Sequence, residues 1–343
     1  MLVILAVFTL LLLFQTKYQF QGINKTYLSM DNTSALKGFF IILVFLSHIR
    51  TYANFQLLHD DITIQILDLC GQLMVTLFLF FSGYGVFLSV QKKGYSYVKQ
   101  FPKNRLLKTF IDFAFAIALF YVVSLIIGKH YSLSAVLLSL TGWRGIGNSN
   151  WYMFVIFALY ILSYIGFIMW KDKPFLSLST ITILSLIFVY VMTLTRPDRF
   201  ANTALCYSAG MWYAYLKPSI DKIIFKHSYL YYPALIITLG LFFLLYPLRE
   251  QRILMYNLVS IVFCLCFVLF GMKAAIHSKL LIWSGKHLFW IYILQRIPMI
   301  LFSHYGLAES NPYIFLYTSF FITLIMAKYA QIFMTKVKAV MFK

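Results

Sequence analysis

The chain has 343 residues, of which 62% are hydrophobic and only 11% are charged. Soluble domains carry about a quarter of their residues as charged side chains, so this composition excludes a water-soluble enzyme and describes a polytopic membrane protein. The net charge of +19 does not mark a nucleic-acid binder, because the lysines and arginines fall between apolar stretches and not along one face; it fits the positive-inside rule and attraction to anionic lipid.

A helix needs about 20 apolar residues to cross a bilayer. In chain order the apolar segments predict spans near 2–19, 35–53, 70–90, 107–128, 150–171, 176–195, 201–217, 229–247, 253–271, 280–302 and 313–334. The expected fold is all-α, a transmembrane helical bundle of about eleven spans. The opening MLVILAVFTLLLLFQTKYQF has no basic residue before its apolar run and no small-x-small site after it, so it reads as a retained span and not a cleaved signal. The expected division is an N-terminal span and linker over 1–30, a membrane core over 31–335 and a basic tail over 336–343. Cys70, Cys206, Cys264 and Cys266 sit in apolar stretches without a C-x-x-C, which predicts packing residues and no disulfide framework, redox pair or zinc site.

Residues 91–108 hold Lys92, Lys93, Lys99, Lys103, Arg105 and Lys108 with no acid, the pattern of a cytoplasmic loop. Alternating from there places Lys171/Lys173, Lys217/Lys222/Lys226, Lys273/Lys279 and the tail Lys336/Lys338/Lys343 inside as well. Asp60 and Asp61 then lie outside, the amino terminus faces out and the carboxyl terminus faces in. The outer loop 129–149 is Gly/Ser-rich and ends in TGWRGIGNSNW; a substrate-facing segment and a plain solvated loop are both open for it.

The second predicted span, KGFFIILVFLSH, starts at Lys37 and reaches His48 eleven residues, about 16 Å, deeper. Ionisable groups inside a membrane are costly and mark pathways or sites. Either His48 is a neutral histidine bonded to a neighbouring helix, or it is a general base that takes a proton from a hydroxyl. Arg296, within another apolar run, needs a partner or a water-filled cavity. Asp112 is a candidate anchor for a nearby cation. No cluster of His, Asp and Glu at ligand spacing calls for a metal.

Lys37 and His48 stand at the spacing of the arginine–ten residues–histidine signature of the acyltransferase 3 family, and KGFFIILVFLSH resembles that family's first core helix, with Lys in place of Arg. The substitution keeps the charge and loses the planar fork. Further stretches resemble the family in order. FFSGYGVFLSV carries Ser82, Gly83 and Tyr84 at its Ser-Gly-aromatic motif; KNRLLKTF places Arg105 and Lys108 at an Arg-x-x-Arg motif; NSNWYMFVIF, with Asn150 and Trp151, is similar to its Trp-aromatic helix start. In WSGKHLFWIYILQRIPMI, similar to the penultimate core helix, Tyr292 matches, while Leu288 and Gln295 replace the family's serine and histidine. The resemblance covers about residues 35–334 and implies a ten-helix core with one added N-terminal span.

What the resemblance implies is an integral membrane O-acyltransferase that moves an acyl group, acetyl from acetyl-CoA or another acyl from its acyl-CoA, to a hydroxyl of a cell-surface polysaccharide or its lipid-linked precursor. On that reading His48 is the general base or a transient acyl acceptor, and Lys37 holds the donor or sets the state of the histidine. Arg105 and Lys108, on one helix face, grip the CoA phosphates. Asn150, Trp151, Tyr292, Gln295 and Arg296 orient the acceptor or serve the oxyanion. The partners are lipid, acyl-CoA and glycan, with no nucleic acid, and the place is the cytoplasmic membrane. A polysaccharide exporter or flippase, or a polymerase, is the rival reading for the same helices and basic edge.

Overall fold

The computed structural model describes residues 1–342; the expected tail residue Lys343 lies outside the described residues. In chain order the helices are α1 Leu2–Phe14, α2 Met30–Ile49, α3 Leu58–Cys70, α4 Leu73–Lys99, α5 Lys108–Ile126, α6 Leu133–Leu140, α7 Trp151–Met169 and α8 Pro174–Thr195. They continue as α9 Leu205–Lys226, α10 Tyr231–Leu245, α11 Ile253–Lys273, α12 Lys279–Lys286, α13 Leu288–Leu294, α14 Arg296–His304, α15 Leu307–Ser310 and α16 Pro312–Met341. Among the described residues, eight helical stretches are long and apolar enough to cross a membrane, so this is an all-α membrane protein.

Each predicted span houses helix, but three depart from the expected form. Helix α1 has 13 residues and rises about 20 Å, short of a hydrocarbon core of about 30 Å. It stops because Thr16–Tyr18, β-branched and aromatic at its ends, leaves the helix as strand β1 and pairs antiparallel with strand β2, Ala274–Ile276. Helix α9 runs past the expected end at 217 to Lys226, through Pro218 and the charged pair Asp221 and Lys222. The expected span 280–302 is three helices, α12, α13 and α14. Pro298 accounts for the second break: it has no N–H for the Leu294 carbonyl and its ring crowds that oxygen.

Alternating helices bring the lysine-rich turns to one end of the bundle. There the C-terminus of α11 meets β2, and Lys338 of α16 pairs with Asp112 of α5. At the opposite end the Met1 ammonium lies 2.9 Å from the Asp60 carboxylate, and Tyr246 donates to the Leu69 carbonyl at 2.5 Å. We call these the basic end and the Asp60 end.

Glycine fixes the two tightest helix pairs. A Cβ on Gly38 of α2 would stand 1.9 Å from the Leu281 carbonyl oxygen of α12, and one on Gly285 of α12 would stand 1.8 Å from that of Ser34. Between α4 and α9 the same reciprocity holds, with Gly83 against Tyr207 and Gly210 against Phe80 at 1.9 and 2.0 Å. Only residues without a Cβ allow backbones this close, the small-residue device of membrane helix pairs. Gly83 therefore does structural work in its motif.

Candidate functional site

Helix α2 carries the first two site residues. Eleven positions at about 100° each turn His48 only about 20° from Lys37, so both lie on one face of α2. His48 sits in the last turn of the helix, close to the Asp60 end. Its Nδ1 is buried with no hydrogen-bond partner, so that nitrogen is not tied to a neighbouring helix.

Two cavities open along that face. The one nearer the basic end has a volume of about 360 Å³ and is lined by Lys37, Ser82, Arg105, Asp112, Tyr152, Leu288 and Tyr292, among others. The one at the other end, about 270 Å³, is lined by His48, Ser47, Gln72, Trp151, Arg199 and Tyr292 with apolar neighbours. Tyr292 lines both. Its ring centroid lies 6.4 Å from that of His48 and 5.2 Å from that of Tyr152, and its hydroxyl is buried without a partner. The close α2–α12 contact at Gly38 and Gly285 sets the start of the broken helix that carries Tyr292 at this junction.

The cavity near the basic end has mixed charge. Asp112 pairs with Lys338 through one oxygen, leaving Oδ1 buried and unpartnered. Arg105 Nε donates to the Tyr97 hydroxyl at 2.8 Å, and the Ser82 hydroxyl lies 3.1 Å from that of Tyr160. Lys37 has no carboxylate among its ion-pair partners in the described residues. A cavity holding two cations and an unpartnered carboxylate oxygen suits an elongated ligand with anionic and N–H groups.

Arg105 and Lys108 part company. Pro102–Leu107 is wound as a π-helix, whose wider turn rotates positions three apart away from the shared face an α-helix gives. Arg105 lines the cavity, whereas the Lys108 ammonium lies 5.2 Å from the Phe342 ring. The Asn150 amide donates to the Gly142 carbonyl at 2.8 Å and ties the 142–150 loop; Trp151 beside it faces the His48 cavity. Gln295 is fully buried and its Nε2 donates to the Tyr292 carbonyl at 2.9 Å, with Oε1 left unpartnered. Arg296 lines neither cavity but a third at the same end as His48.

Two lining residues escape a reading of the sequence. Arg199 stands in the short turn Asp198–Phe200 and looks like an ordinary loop cation. Tyr152, beside Trp151, looks like part of an interfacial aromatic belt.

The fold and these cavities define an integral membrane protein with a polar route between helices, interrupted at one tyrosine and bearing an unpartnered imidazole on one side. A family model described as an acyltransferase domain matches residues 29–330. The chain belongs to the acyltransferase 3 family and is a membrane acyltransferase. That membership stands against the exporter and polymerase readings. No curated protein and no solved structure matches the chain.

Proposed function

We propose that this acyltransferase takes acetyl from acetyl-CoA at the cytoplasmic face of the cell membrane and transfers it to a hydroxyl of a cell-surface polysaccharide or its lipid-linked precursor. The carrying observation is the pair of cavities meeting at Tyr292, with Lys37 and Arg105 on one side and His48 on the other. The basic end is the cytoplasmic one on this reading, as its lysines suggest. The eleven apolar segments then act as a ten-helix core with α1 added beside it.

The basic-end cavity takes the acyl-pantetheine arm, with Arg105 and Lys37 attracting the phosphates and Asp112 Oδ1 accepting from an arm N–H. The acceptor sugar lies against Trp151 in the other cavity. His48 removes the hydroxyl proton as that oxygen forms the new bond to the acyl carbon. Tyr292, its hydroxyl free, donates to the tetrahedral oxyanion. When the C–S bond breaks, the imidazolium returns its proton to the thiolate, giving free CoA and the ester. Gln295 supports this only by holding the Tyr292 turn.

The test compares surface polysaccharide from wild type, a deletion strain and His48→Ala, by proton NMR of O-acyl signals and by blotting for protein level. The signal disappears in both mutants while the protein remains. A deletion that leaves acylation intact but changes glycan amount or length overturns the reading.

A further inference from the structure

A third cavity, of about 310 Å³, opens at the Asp60 end between α5, the 142–150 loop and α14. It shares no lining residue with the two cavities above. Three basic side chains, Arg296, Lys129 and His304, line it together with the hydroxyls of Tyr52, Ser124 and Ser303, and its lining contains no acid. Arg296 Nε is buried and has no hydrogen-bond partner, and its guanidinium carbon lies 6.0 Å from the Tyr52 ring centroid. No carboxylate pairs with Arg296 or Lys129 among the described residues. A half-buried guanidinium whose buried Nε is an unused donor, facing a cavity lined by a second and third base, is an incomplete site. What completes it is an oxyanion, which a guanidinium and an ammonium bind through charge-assisted hydrogen bonds.

We propose that this cavity binds an oxyanion, and that during transfer the oxyanion is the carboxylate or phosphate of an acidic acceptor saccharide. The second half rests on the proposed function. Two observations favour a saccharide over a lipid headgroup. Tyr52, Tyr131 and Ser303 line the cavity beside the three bases, hydroxyl-bearing side chains of the kind that recognise sugars. Arg296 also begins α14 directly after α13, the helix that carries Tyr292, and its cavity opens at the same end of the bundle as His48, so an anchored acid group leaves the rest of the sugar on the His48 side.

The test uses the full chain in nanodiscs of pure phosphatidylcholine, with glucuronate, inorganic phosphate and glucose titrated separately and unfolding temperature as the readout. Glucuronate and phosphate stabilise the protein saturably and glucose does not. Arg296→Gln weakens both anions about tenfold or more, Arg296→Lys recovers part of the loss, and Lys129→Gln, an exposed loop change that leaves the core intact, weakens them several-fold. Equal stabilisation of wild type and Arg296→Gln, or an equal response to glucose, overturns the site. Loss of the glucuronate response in phosphatidylglycerol nanodiscs overturns the saccharide assignment in favour of a lipid phosphate. Anion binding is read without acyl-CoA, so a chain that binds glucuronate through Arg296 but does not turn over acetyl-CoA keeps this site and loses the donor proposal.

Discussion

Gly38→Ala tests whether the α2–α12 contact positions Tyr292 at the junction of the two cavities. The added Cβ would stand 1.9 Å from the Leu281 carbonyl oxygen, where ordinary contact begins at 3.4 Å, so α2 and α12 must separate by about 1.5 Å. The obstacle is backbone, which has no rotamer to change. Overpacking costs about 1–3 kcal/mol, and the rigid neighbour puts this case near the top, about 3 kcal/mol. The displacement carries into α13 and moves Tyr292 relative to His48 and Lys37. A misplacement of about 1 Å costs on the order of 100-fold in rate. Gly240→Ala is the control, because nothing lies within 4 Å of its Cβ position and alanine gains up to about 1 kcal/mol in a helix. The assay is thermal unfolding of purified protein in detergent together with acetyl transfer per folded molecule. Gly38→Ala unfolds several degrees lower and loses about 100-fold in rate, while Gly240→Ala matches or exceeds wild type in stability. If the two variants behave alike in both measurements, the α2–α12 contact does not set the site.

Tyr292→Phe removes a buried hydroxyl that has no protein partner, so unfolding temperature holds or rises while kcat falls about 100-fold or more, the effect of losing an oxyanion donor; an unchanged kcat refutes the donor role. Tyr313→Phe acts outside the site. Tyr313 donates to Asp60 at 2.6 Å, and although burial raises the Asp60 pKa, that bond, the Met1 ammonium and the His59 charge outweigh it and hold the carboxyl below its usual value. A carboxyl with a lowered folded-state pKa adds stability above its unfolded pKa and loses it as pH falls through the lower folded one. The variant therefore loses about 1 kcal/mol at neutral pH, and its acid unfolding begins at a higher pH than wild type. Identical pH–stability curves refute it.

Much of the architecture was legible because hydropathy and helical period are set by the bilayer and the backbone. Eleven apolar segments each became helix, and the face shared by Lys37 and His48 follows from the spacing alone. What sequence could not give depends on local winding or on partners remote in the chain. The π-helix over Pro102–Leu107 separates Arg105 from Lys108, which an α-helical spacing joins. Asn150 looked free to meet a substrate, but its amide is committed to Gly142. The 13-residue length of α1 follows from a strand partner more than 250 residues away. Arg199 and Tyr152 carried only signals that loop cations and interfacial aromatics also carry.

The broken helix explains why one apolar run serves three cavities. An unbroken α-helix over 280–302 would present Leu288, Tyr292 and Arg296 as a stripe, each four residues apart on nearly one face. The break at Gln295, imposed three residues later by Pro298, separates them: Leu288 and Tyr292 remain on α13 toward the first cavity, and Arg296 starts α14 facing another. At the break Gln295 spends its Nε2 on the Tyr292 carbonyl and keeps Oε1 buried without a partner. A glutamine suits that place because its neutral amide donates at every pH, whereas a histidine there would bring a second titrating group beside Tyr292. In this chain His48 is thus the imidazole left facing the junction, its Nδ1 without a partner, and the proposed mechanism gives it the acid–base work of transfer.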